Sequence, residues 1–187
     1  MDQENKYILE SQRYTQEEFE SLSIKNQRLL IIQDALDSIT MDITVPRTGC
    51  YLKSDALNEY KSIKENPELE CYVCELGALL VSTCRFVNIL YYKQVEDVLI
   101  NGRKFDKFNK IFSNEQLLLI ECCFEGFVSG NRYGKKQNDD FSTEYISNVS
   151  QIANDFLGTF LNTTDRMVAI FINMIYNDGI FIPEQDI

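Results

Sequence analysis

Residues 68–91 read ELECYVCELGALLVSTCRFVNILY, and the fold turns on this stretch. Tyr72, Leu76, Leu79, Leu80, Thr83, Phe86, Val87 and Leu90 cover most of a helix circumference, interrupted only by Glu75, Ser82, Arg85 and Asn88. A helix that is apolar nearly all round belongs in a core. Gly77 and Ala78 would let a neighbouring helix come close, and that packing must offset the roughly 1 kcal/mol a helical glycine costs. The expectation is a single all-α domain of about six or seven helices around a buried central helix at about residues 70–90.

The flanks extend this pattern. Thr15 with Glu18 forms a capping box, followed by Phe19, Leu22, Leu29, Ile32, Leu36 and Ile39 at helical spacing. Residues 41–52, with Pro46 and Gly49, suit an irregular or short extended connection, and residues 54–64 a short polar helix closed by Asn66-Pro67. Residues 93–111 suit one or two shorter helices broken near Asn101-Gly102. Ser113 and Gln116 form a second capping box, starting a helix with Leu117, Leu118, Ile120, Phe124 and Phe127; Glu121 and Glu125 fall one turn apart on its expected wet side. After a loop at 129–140, Asp140 or Ser142 caps a helix reaching about Leu161, and Thr164 or Asp165 starts the last one, closed by Asn177-Asp178-Gly179. The helices at 113–128 and 164–176 are expected to pack on the central one. Residues 1–14 look like a polar arm ahead of a domain over 15–187.

Composition narrows the function. The 187 residues are 44% hydrophobic and 25% charged, and include no His and no Trp. His is the usual acid–base group near neutral pH and the commonest metal ligand, so triads built on His and HExxH sites are excluded. Arg166 is followed five residues on by Phe171, where helical ribonucleases of the Arg-x4-His type carry His, so that site is excluded too. Carboxylate, Lys or Cys catalysis stays open, and the leading expectation is non-catalytic. The net charge is −11, and of the 18 bases only Arg166 lies beyond residue 137, among eight acids. Nucleic-acid binding needs surplus Lys and Arg, so direct binding is not expected; neither is a membrane, since no apolar run reaches about 18 residues. The chain opens MDQENKYILESQRYTQEEFE, without the basic and apolar regions of a signal peptide. A reducing cytoplasm is therefore expected, with the cysteines as free thiols.

Cys71-x-x-Cys74 is the plainest motif. With Cys122 and Cys123 it offers four sulfurs for zinc, or a redox pair; core packing of small thiols is the simpler reading. Gly130 to Lys136 resembles a phosphate loop but lacks Walker spacing. Glu75, Glu121 and Glu125 could form a helical carboxylate site, but di-iron bundles add His, so a solvated face is expected instead. Tyr133, Asp139, Asp140, Glu144 and Tyr145 are the candidate partner-binding residues, acids for steering and tyrosines for anchoring. The acids of the last third also raise the alternative of a nucleic-acid mimic.

Three stretches carry a resemblance: Cys71–Ser82, Phe112–Glu125 and Asp165–Pro183. Their order and spacing resemble a group of small helical proteins of bacteria and phages with a C-x-V-C-x-L-G-A signature. The resemblance implies a cytoplasmic, phage- or mobile-element-borne origin and assigns no activity. The expected function is a cytoplasmic protein that regulates or inhibits a macromolecular partner with a basic surface, in the manner of anti-defence or immunity proteins, without a cofactor; zinc is the alternative.

Overall fold

A computed structural model describes residues 8–49, 71–87, 106–126, 142–160 and 162–183. The expected helix at 54–64, the break at Asn101-Gly102 and the loop at 129–140 lie outside them. The fold is all-α. The described residues hold seven α-helices: α1 (Gln16–Ser21), α2 (Ile24–Thr40), α3 (Glu75–Phe86), α4 (Asp106–Ile111), α5 (Asn114–Glu125), α6 (Thr143–Leu157) and α7 (Thr163–Tyr176). A 3-10 turn covers Glu10–Gln12, and two short strands, β1 (Thr44–Pro46) and β2 (Cys71–Val73), pair in parallel with Val45 opposite Tyr72. None of the described helices is long and apolar enough to cross a membrane.

Local chemistry sets most boundaries. Thr15 and Glu18 exchange the bonds of a capping box: the Glu18 amide donates to Thr15 Oγ1 at 3.2 Å, and the Thr15 amide donates to Glu18 Oε2 at 2.8 Å. The helix they start is shorter than its apolar spacing suggests. It stops at Leu22, whose backbone is extended, and Ser23 caps a separate α2. Gln27 Nε2 donates to the Leu22 carbonyl at 2.9 Å, satisfying an acceptor that the break would strand. Ser113 caps α5, but Gln116 does not close a box. It turns to Phe181, accepting from its amide at 2.8 Å and donating to its carbonyl at 3.4 Å. Asn162, rather than Thr164 or Asp165, caps α7. Gly179, at φ +86°, ends that helix with a 2.6 Å bond to the Met174 carbonyl.

Every residue of α3 is buried, which makes it the central helix the sequence implied. Its span is shorter than 70–90, because residues 71–73 form β2. α5 packs on α3 as expected, whereas α7 lies mainly along α2 and also touches α5 and β1. The core joins Ile31, Ile32 and Ala35 of α2 to Leu79 and Phe86 of α3, Ile120 and Phe124 of α5, and Ile170 and Phe171 of α7. Phe19 stacks on Phe86 with centroids 4.5 Å apart. Burial stabilises each such side chain by about 1.5–3 kcal/mol.

A helix buried on all sides must bury its polar residues too. Arg85 meets Asp34 of α2, Nη1 to Oδ2 at 2.9 Å, and both side chains are almost wholly covered. The other Asp34 oxygen accepts the Ser11 amide at 2.8 Å. Residues 9–12 of the expected arm are thereby tied to the domain, with Leu9 and Ser11 buried.

Candidate functional site

The second charged residue of α3 has no such partner. The chain leaves β2 at Val73, and Cys74 takes the N-cap position of α3 with Glu75 as its first helical residue. The turn after β1 holds Gly49 at φ 71°. The last turns of α5 bring Glu121 and Glu125, and the first turn of α7 brings Arg166. A ligand atom each of Cys74, Glu75 and Glu125 lies within 4.8 Å of the others.

Glu75 is fully buried, and neither carboxylate oxygen makes a hydrogen bond. The nearby amides of Glu75 and Leu76 favour its anion, but neither reaches hydrogen-bonding geometry. Burial dominates and holds its carboxyl well above the usual range, helped by the charges of Glu125 and Glu121. Glu125 is anchored differently: both its oxygens accept the Gly49 amide, at 2.9 and 2.8 Å. Arg166 Nη1 donates to the Phe124 carbonyl, while its buried Nε has no partner. Burial lowers the Arg166 pKa, and the carboxylates of Glu125 and Glu75 oppose that shift.

Burial also pushes the Cys74 thiol well up, reinforced by the charge of Glu75. Burial takes Cys84, Cys122 and Cys123 up to about 12. All four are free cysteines, and burial disfavours the thiolate form of each. Cys122 and Cys123 stand outside the group formed by Cys74, Glu75 and Glu125 among the described residues. The Cys71 side chain lies outside the description.

The carboxylates on α5 are a correction. Expected on a wet face, Glu121 and Glu125 are 6% and 9% exposed, because that face of α5 turns toward α3. Sequence reasoning assigned no role here to Arg166 or to the Gly49 amide.

Of the partner-binding candidates, Tyr133, Asp139 and Asp140 lie outside the described residues. Glu144 is exposed on α6. Tyr145 is half-buried against the core, and its hydroxyl donates to the Glu115 carbonyl at 3.4 Å. Glu144 and Asp155 share one stripe of α6, eleven residues or about 16 Å apart at 1.5 Å per residue. That is sparser than a duplex strand, which carries a phosphate about every 3.4 Å. No family model matches the chain, and neither a curated protein nor a solved structure shows significant similarity to it.

Proposed function

We propose that the chain is a cation-binding helical domain, with Cys74, Glu75 and Glu125 as ligands of a divalent ion. Glu75 supports this reading most directly: it is fully buried with both oxygens unpartnered. An unsatisfied buried polar group costs about 1–3 kcal/mol, and native cores hold few of them. A cation between Glu75, Cys74 and Glu125 would satisfy those oxygens and relieve the crowding of acids. The test is metal analysis of protein purified without chelator. About one ion per chain is expected, removed by dialysis against chelator, restored by metal, and absent from Glu75→Gln. Protein that comes metal-free and takes up none of magnesium, calcium, manganese or zinc overturns the reading.

A second reading, regulation or inhibition of a protein partner in the cytoplasm, draws on Arg166. The single base of the last third is half-buried and bonded to the Phe124 carbonyl, while Glu144, Asp155 and Asp165 are exposed on α6 and α7. Such a face would attract a basic partner, and the four cysteines that are free among the described residues suit a reducing compartment. Affinity capture from native cells tests it. A partner released by salt, and not captured by the triple Lys variant at those acids, supports the reading; identical recovery by that variant refutes it.

A further inference from the structure

The geometry points to a thiolate-seeking cation of the zinc class at this centre, bound by Cys74 Sγ and one carboxylate oxygen each of Glu75 and Glu125. This rests on the cation-binding reading and adds the identity of the ion. Donor chemistry comes first. Calcium takes six to eight oxygens, and magnesium keeps several waters in an octahedral shell. Here one donor is sulfur, and Cys74 and Glu75 are only 4% and 0% exposed, so a hydrated hard ion has little room. One thiolate with two carboxylates suits a borderline ion in a small coordination shell.

Charge points the same way. A divalent ion that displaces the protons of Cys74 and Glu75 would offset two of the three negative charges of a thiolate and two carboxylates. Charge is costly in a buried site unless it is balanced. Arg166, bonded to the Phe124 carbonyl, adds a positive charge near Glu125 and Glu75. Glu121 stands outside this group of ligand atoms among the described residues.

The required movement is small. With metal–oxygen distances of about 2.1 Å and metal–sulfur of about 2.3 Å, tetrahedral ligands sit about 3.5 Å apart. The three ligand atoms, now within 4.8 Å of one another, need to close by about 1.3 Å at most, within reach of carboxylate torsions. Glu75 gives up no hydrogen bond in closing. Both Glu125 oxygens accept the Gly49 amide, which holds that carboxylate beside Glu75 and Cys74.

Cobalt(II) titration of the full-length, metal-stripped chain tests this. The wild type is expected to develop a sulfur-to-cobalt charge-transfer band with intense visible bands of a tetrahedral ion, both erased by zinc but not by excess magnesium or calcium. Cys74→Ser should abolish the charge-transfer band and weaken zinc binding by about tenfold or more, with its helical circular dichroism retained. Cys84→Ser should leave the band in place. Binding of manganese or calcium with no thiolate band in the wild type would overturn the zinc-class assignment and leave the cation reading standing. Failure of every cation to bind would remove both.

Discussion

Replacing Glu75 by Met separates the cost of the buried acid from its use. Met is unbranched, near Glu in length, and fills apolar space without asking for a hydrogen bond. In metal-free protein the substitution should therefore stabilise the fold, although it removes a residue from the most buried helix. The gain expected from deleting an unsatisfied buried polar group is about 1–3 kcal/mol. Each kcal/mol raises the melting temperature of a chain this size by about 2–4 °C. The gain should also depend on pH. Burial raises the folded-state pKa of Glu75 above its ordinary value of 4.5. Below pH 4.5 the folded and unfolded chains both hold the proton. Above it the unfolded chain releases the proton, while the folded chain must keep it or bury a charge. Wild-type stability consequently falls as pH rises from 4.5 toward the raised value, by up to about 1.4 kcal/mol per pH unit from this group. The advantage of Glu75→Met should grow over the same window, and remote titrations cancel in the difference. Urea denaturation in chelator at pH 5, 6, 7 and 8 measures it. Zinc should reverse the order: an ion at 100 times its Kd adds about 2.7 kcal/mol to the wild type alone. A variant less stable than wild type in chelator, or a gap that ignores pH, would refute the claim that Glu75 is buried without compensation.

Three further perturbations test the frame around the site. Asp34→Ala removes the carboxylate that meets Arg85 Nη1 and the Ser11 amide; it should cost about 3–5 kcal/mol in urea unfolding, with Asp34→Leu plus Arg85→Met recovering most of the loss, and a single-mutant loss below about 1 kcal/mol would count against a working buried pair. Leu79→Ala, at a fully buried position, should cost about 2–5 kcal/mol, and Leu118→Ala clearly less because Leu118 is half-buried; equal losses would contradict this packing. Gly179→Ala puts a Cβ 2.6 Å from Arg28 Cδ at a backbone φ of +86°. It should lower stability by about 1–3 kcal/mol, and a neutral result in thermal unfolding would show that Arg28 moves freely from its 2.8 Å bond to the Ile111 carbonyl.

Features that depend on a few neighbouring residues were readable in the sequence. The Thr15–Glu18 box, the Ser113 cap and the left-handed close at Gly179 each rest on contacts within a turn or two. The split between α1 and α2 was hidden because Leu22 and Leu29 stay in phase, seven residues apart, across the polar stretch 25–28, while the break depends on Gln27 reaching back to Leu22. β2 was hidden for the opposite reason. It is three residues long, and its partner β1 lies 27 positions earlier by the register of Thr44 with Cys71, so no local pattern announces it.

The site was half legible, and the missing half follows from an argument the sequence already permits. A helix with no wet side leaves its polar residues nowhere to go. Each must bond to its own backbone, find a partner across the core, or remain unsatisfied. Thr83 takes the first course, donating to the Leu79 carbonyl at 2.7 Å. Arg85 takes the second with Asp34. Ser82 Oγ remains unsatisfied, but it is neutral and small. Glu75 has neither carboxylate oxygen hydrogen-bonded; it is an acid at the head of a wholly buried helix, beside a second acid on α5 and a thiol. Had α5 turned a basic residue toward it, the pair would have matched Asp34 and Arg85 at the other end of the helix. Arg166 bonds to the Phe124 carbonyl, and among the described residues no hydrogen-bond donor meets either Glu75 oxygen.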